Sequence, residues 1–321
     1  MKVVTSIADI QHNKNSVISV GTFDGVHRAH QKIIGEVVSR AKVRSGRSVI
    51  VTFEPHPKEV LAAHHASSNG SRAAHPPEIL TTLQEKLALF EPLEVDAAVV
   101  IAFTYEFSRK SFRDFYTEYI INRIGASEVI EGYDHSFGRD REAGLKELLE
   151  LGTEFHFSVV AEQPFKIDNE IVGSSRIRSL LLEGKIREAN KLLGRNYSFS
   201  GTVVRGDMRG RTLGFPTANI HVHHPRKLVP RNGIYAVRVL VGSSQHFGLM
   251  NVGVLPTFFD SHPRKIEAYI YDFDEDIYEQ PISVECLDWI RDEQKFPTVD
   301  ALIAQMNDDK RNGMKIIKSI T

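Results

Sequence analysis

The chain has 321 residues, 41% of them hydrophobic and 25% charged, which is enough for two globular cores rather than one. Its 40 basic residues nearly balance 41 acidic ones, so no global field recruits nucleic acid or an anionic membrane surface, and any phosphate site must be local. A single cysteine, Cys286, excludes an internal disulfide and any centre built on several thiolates. The start Met1-Lys2-Val3-Val4 is not signal-like, and the apolar stretch near Val95 to Phe103 is too short to span a bilayer, so a cytoplasmic protein without membrane partners is expected.

Taken in chain order, β-rich runs at Ser16 to Val20, Ser48 to Phe53, Ala97 to Ile101 and Glu128 to Gly132 alternate with helical periodicity. Val26, Ile33, Ile34, Val37, Val38 and Ala41 mark one helix face, and Leu80, Leu83, Leu87 and Phe90 mark another. This alternation predicts an α/β domain with a mainly parallel, Rossmann-like sheet, whose ligands sit beyond the carboxyl ends of its strands. His64 to Pro77 reads as a loop, and helices at Ser175 to Glu183 and Lys185 to Leu193 close the first domain, residues 1–193.

The second domain, residues 194–321, has a different texture of short strands punctuated by Gly and Pro. Tyr197 to Val204, Gly233 to Val241, Phe247 to Val252, Lys265 to Tyr271 and Ile282 to Leu287 predict a small antiparallel barrel. A terminal amphipathic helix carries Val299, Leu302, Ile303 and Met306 on one stripe.

Two strings carry chemistry. In the first, a strand runs into Gly21-Thr22-Phe23-Asp24-Gly25-Val26-His27-Arg28-Ala29-His30, with both histidines expected in the first helical turn. Two imidazoles sharing a face beside free N–H groups suit the charge that develops as pyrophosphate leaves a triphosphate. In the second, Gly201 to Asn219, glycines 206, 210 and 214 permit close backbone approach, Arg205, Arg209 and Arg211 bring charge, and Thr217 with Asn219 can offer oxygens to Mg²⁺. No Gly-Lys-Ser/Thr loop is present in this half, which excludes an ordinary P-loop kinase there.

These strings resemble known families. Gly21 to His30 is similar to the His-x-Gly-His signature of nucleotidyltransferases in its prokaryotic FAD synthetase form, with Ala29 where that family has glycine. Thr52-Phe53-Glu54-Pro55-His56-Pro57, Gly132 to Gly138 and Gly173-Ser174-Ser175-Arg176-Ile177-Arg178 resemble further elements of that family, with His135, Gly173 and Ser175 as departures. Gly210-Arg211-Thr212-Leu213-Gly214-Phe215-Pro216-Thr217-Ala218-Asn219 closely matches the riboflavin kinase signature, followed by similar elements at Asn232 to Tyr235, Asn251 to Phe258 and Arg291 to Phe296.

The resemblance implies a bifunctional enzyme using ATP and Mg²⁺ to convert riboflavin to FMN and FMN to FAD. It places ATP phosphates on Gly21, Phe23, Asp24, Gly25, His27, His30, Ser174, Ser175 and Arg178 in the first domain, and on Gly206, Gly210 and Arg211 in the second. Flavin is placed on Asp134, Phe53 and Pro55, and on Arg291 and Phe296. Glu267, in the position of the family's Leu-Glu-x-His, is the implied general base. A kinase with an inactive first domain and a non-catalytic flavin-binding regulator are the alternative readings. The paired histidines His221 and His223 lack a third ligand nearby, and zinc is not expected.

Overall fold

The computed structural model describes residues 1–69, 78–132, 144–206, 210, 213–254 and 264–320. They fall into two compact units, Met1–Ser174 and Ser175–Thr321.

The first unit is built on strands β1 (Lys2–Val4), β2 (Ser16–Val20), β3 (Arg47–Glu54), β4 (Ala97–Ala102), β5 (Ala126–Gly132) and β6 (Ser158–Glu162). They form one parallel sheet in the order β1-β4-β3-β2-β5-β6. Both faces are covered, so the strands are nearly continuous apolar runs. Ile18, Val49, Val51, Val99 and Val129 pack on one side with Phe115, Tyr116 and Ile120. Val17, Ile50, Ala98 and Ile130 pack on the other with Ile34, Val37 and Val38 of α1 (Arg28–Val43). The chain leaves β2 towards β3 and β4, then returns to β5 on β2's other side. The β2 carboxyl end is therefore the topological switch point, where doubly wound sheets bind ligands.

Further helices are α2 (Pro57–Asn69), α3 (Leu83–Phe90), the single turns α4 (Tyr105–Ser108) and α5 (Phe112–Phe115), a π-helix at Tyr116–Ile124, and α6 (Leu145–Phe155). A short hairpin of β7 (Lys166–Ile167) and β8 (Glu170–Ile171) follows. Three local expectations are corrected. Residues His64 to Asn69 continue α2 rather than forming a loop, because Pro57 fits a first helical turn and Ala62 and Ala63 favour propagation; residues 70–77 lie outside the described set. Val26 precedes α1 with φ of 39°, and His27 is the N-cap of that helix rather than a member of its first turn. Leu80 precedes α3, which is started by a capping box of Thr82 and Glu85.

The second unit opens with α7 (Ser174–Glu183) and α8 (Ile186–Leu193), then closes six strands into an antiparallel barrel. The strands are β9 (Tyr197–Val204), β10 (Ala218–Val222), β11 (Gly233–Val241), β12 (Ser244–Val254), β13 (Arg264–Ile270) and β14 (Pro281–Arg291), in the order β10-β13-β12-β11-β14-β9. The α8 helix belongs with the barrel because Asn190 donates to the Cys286 carbonyl at 2.9 Å and accepts from the Tyr197 N–H at 2.7 Å. Cys286 is fully buried, and burial pushes its thiol up to about 12.

A terminal helix, α9 (Val299–Lys318), packs on β11, β12 and β14. Its buried face carries Asp309, Gly313 and Ile317; Val299, expected on that stripe, is exposed because the helix has only begun there. Gly313 is required at this seam, since a Cβ would come within 2.6 Å of the Leu249 side chain and 2.7 Å of the Tyr271 hydroxyl.

Candidate active sites

In the first unit, β2 delivers the chain into a tight loop with Phe23, Gly25 and Val26 all at positive φ. Two of these are not glycine, a conformation that persists only where surrounding contacts over-determine it. Asp24 supplies them. Its buried carboxylate accepts from the Leu80 N–H at 2.9 Å and the Thr81 N–H at 3.0 Å, while Thr81 Oγ1 accepts from the Gly25 N–H at 2.9 Å. Ser174 adds a hydrogen bond from its hydroxyl to the Asp24 carbonyl at 2.8 Å.

The loop ends in a histidine cap. His27 Nδ1 accepts from the His30 N–H at 3.3 Å, and the two rings stack with centroids 3.6 Å apart. When the ring is neutral, accepting at Nδ1 leaves the His27 proton on Nε2. Phe23 packs its ring edge-on to His30 at 5.1 Å and to Phe90 at 5.8 Å. Burial first, then the charges of His27 and Lys86, lower the His30 pKa well below its ordinary value, and His30 Nδ1 is buried with no hydrogen-bond partner among the described residues.

Lys86, absent from the sequence expectations, lies buried near this loop and donates to Thr52 Oγ1 at 3.1 Å; Thr52 in turn donates to the Thr22 carbonyl at 3.1 Å. Desolvation lowers its pKa, against the pull of the Asp24 and Glu54 carboxylates. Its signal was confined to tertiary proximity, since Lys86 reads in sequence as one more charged residue of α3.

The second unit holds a cavity of about 430 Å³. Its apolar side includes Leu213, Phe215, Leu249, Phe296, Leu302 and Met306, and its polar side includes Thr217, Asn251, Lys265 and Glu267. Register explains the polar side. Glu267 on β13 lies directly opposite Asn219 on β10 and directly opposite Asn251 on β12, so the three residues form one row across adjacent strands. Lys265, two residues earlier on the same strand, pairs with Glu267 Oε1 at 3.2 Å. The amide oxygens of both Asn219 and Asn251 are buried and unpartnered among the described residues.

Glycines shape this site too. A Cβ on Gly206 would meet Asn219 Nδ2 at 2.2 Å, so Gly206 makes room for that carboxamide. Gly210 closes the hairpin, its carbonyl accepting from the N–H groups of Leu213 and Phe215 at 3.1 and 2.9 Å, and a Cβ there would lie 2.3 Å from the Phe215 carbonyl oxygen. At the far end, Arg291 makes a forked pair with Asp309 at 2.8 and 2.6 Å, which Gln305 supports, and its guanidinium stands 5.8 Å from the Phe296 ring centroid.

Several sequence expectations are redrawn. The ring of Phe23 packs in the core, the Asp24 carboxylate accepts from backbone amides, and Ser174 donates its hydroxyl to the loop's own backbone. Phe53 is buried against Phe103, Phe107 and Phe115, whereas Pro55 is exposed. Gly21 and Gly25 lie in the loop as expected, Arg178 is buried on α7, and Ser175 is exposed at its start. Asp134, His135, Arg209, Arg211, Thr257 and Phe258 lie outside the described residues. Asn251 appeared in sequence only as part of a string; its place opposite Glu267 is a fact of register.

A parallel sheet with a histidine-capped helix at its switch point, followed by a barrel whose cavity presents Glu267 and Asn251 in one cross-strand row with Asn219, defines a two-domain nucleotide-dependent transferase. Residues 9–176 match the family model of FAD synthetase and residues 193–317 that of riboflavin kinase. The chain is 36% identical over 93% of its length to the bifunctional riboflavin kinase/FMN adenylyltransferase of Listeria monocytogenes, covering 91% of that protein. It is 32% identical to the protein of the same description from Bacillus subtilis, over 97% of this chain and 95% of that one. A solved Streptococcus pneumoniae structure described as a macrolide-efflux protein shares the fold with a TM-score of 0.84 and 30% identity, covering 96% of this chain and 97% of that one. Among the described residues, no helix is long and apolar enough to cross a membrane. The chain belongs to the bifunctional riboflavin kinase/FMN adenylyltransferase family.

Proposed function

We propose that this chain makes flavin nucleotides in two ATP-dependent steps, one in each unit. In the barrel, Glu267 takes the proton of the riboflavin 5′-hydroxyl as that oxygen attacks the γ-phosphorus of ATP; the bond to the β-phosphate oxygen breaks, and FMN and ADP result. The observation that carries this step is the cross-strand row Asn219, Glu267, Asn251, of which Glu267 and Asn251 line the cavity. The apolar side of the cavity suits a flat aromatic ring system, with Phe215 and Phe296 positioned to flank it.

Mg²⁺ fits the residues present, because Asn219 contributes a buried amide oxygen with no other described partner and Thr217 a hydroxyl two residues away on the same strand approach. Bound there, the ion would neutralise phosphate charge; Gly206 and Gly210 keep the surrounding backbone close enough for that arrangement.

In the first unit, an FMN phosphate oxygen attacks the α-phosphorus of ATP, releasing pyrophosphate and forming FAD. His27 and His30 at the switch point stabilise the charge developing on the leaving group, assisted by the positive end of α1. Asp24, Thr81 and Lys86 act as positioning residues that hold the loop in shape.

Incubation of the purified protein with riboflavin, ATP and Mg²⁺, followed by chromatography of the flavins, tests both steps. FMN must appear first and FAD second. FMN without FAD would overturn the assignment of the first unit, and no FMN would overturn that of the barrel.

A further inference from the structure

We infer that Asn251 is a specificity residue of the barrel: its carboxamide accepts a hydrogen bond from the substrate hydroxyl adjacent to the one phosphorylated, so that the site reads a vicinal diol instead of a lone primary alcohol. The inference rests on reading the cavity as the riboflavin kinase site.

Asn251 is on β12, directly across from Glu267 on β13 and on the same face. Such cross-strand partners have Cβ atoms about 5 Å apart. Two hydroxyls on neighbouring carbons of one chain can therefore meet the two side chains at once, one on the carboxylate and one on the amide. Asn251 lines the cavity, and its Oδ1 is buried with no hydrogen-bond partner among the described residues.

Leaving a buried acceptor unsatisfied destabilises the fold, so an apolar residue would serve it better unless a ligand completes the bond. The amide also suits the neighbourhood electrostatically. Glu267 already carries the negative charge that the proton transfer needs, and Lys265 compensates it at 3.2 Å. A second carboxylate at position 251 would repel a triphosphate, whereas a neutral amide reads a hydroxyl without adding charge. Asn219 stands on the opposite flank of Glu267, so the row offers separate acceptors on the two sides of the carboxylate.

The test compares kcat/KM for phosphorylation of riboflavin and of a riboflavin analogue lacking the 4′-hydroxyl, using the native protein and Asn251→Leu, which keeps the fork at Cγ and removes the acceptor. With riboflavin the variant should lose about 10- to 100-fold, and its KM for ATP should stay unchanged. The native protein should lose a similar factor on the analogue, and the variant should treat the two substrates alike. An equal loss by the variant on both substrates, or none on riboflavin, overturns the inference. A native protein that phosphorylates both substrates equally well overturns it without recourse to any variant. A native protein that forms no FMN overturns the kinase assignment itself, a result distinct from either of these.

Discussion

The two sites handle their polar groups in opposite ways. At the β2 switch point, Asp24, Thr81, Ser174 and the His27 ring nitrogen are committed to backbone groups, so the loop is held in a conformation unfavourable for Phe23 and Val26. In the barrel, Asn219 and Asn251 hold their places through strand pairing and leave their amide oxygens unpartnered among the described residues. A loop needs side-chain hydrogen bonds to acquire a shape, while a sheet positions side chains through register and keeps their polar atoms available. Changes at the first site should therefore act through stability as well as catalysis, and changes at the second chiefly through catalysis.

The largest effect should come from Glu267→Gln, which keeps shape and removes the base. FMN formation should fall by about 10²- to 10⁴-fold while adenylylation of supplied FMN continues at its native rate. Separate assays from riboflavin and from FMN check this, and a parallel fall in both would break the division of labour between the units. Asp24→Ala removes the carboxylate that fastens the loop, and should lower the stability of the first unit by about 2–3 kcal/mol. Denaturant unfolding followed by FMN formation should show the barrel's activity surviving to the native midpoint.

Gly206→Ala sharpens the contrast from the other side. Its methyl must displace the Asn219 carboxamide, so kinase activity should drop about 10-fold with little change in stability. Combined with Asn219→Ala it should add almost nothing, because both changes remove the same group. Kinetic measurement of the double variant decides whether Gly206 acts through Asn219.

The smallest effect concerns pH. The folded pKa of His30 lies below its unfolded value of about 6.5, so the unfolded chain binds more protons in the interval between them. This contribution to stability is present above about pH 6.5 and is lost as the pH falls towards the folded pKa. Unfolding curves of the native protein and His30→Gln across that range should converge at acid pH, and curves that stay parallel would remove His30 from the account.

Much of the architecture was legible because it rests on local periodicity. Alternating strands and helices gave the parallel sheet, and the change to short Gly-punctuated strands marked the barrel. The exceptions are instructive. His64 to Asn69 looked like a loop because its residues are weak helix formers, yet α2 continues through them. Strand β10 was hidden inside a Gly-rich string, though it carries Asn219.

The histidines and Glu267 were visible from their strings, but their partners were not. Thr81 reaches Gly25 across 56 positions and Lys86 reaches Thr52 across 34, separations over which periodicity carries no information. The sequence by itself determined the order of domains, the strand-to-helix turn at Gly21 to His30 and the glycine-rich string before Asn219, since each follows from backbone preferences within a few residues. Only the tertiary structure decided that Asp24 fastens a loop and that Asn251 stands beside Glu267. Those roles depend on which distant backbone amides and which neighbouring strand the fold brings alongside, and chain-distant pairing is set by the packing of the whole unit.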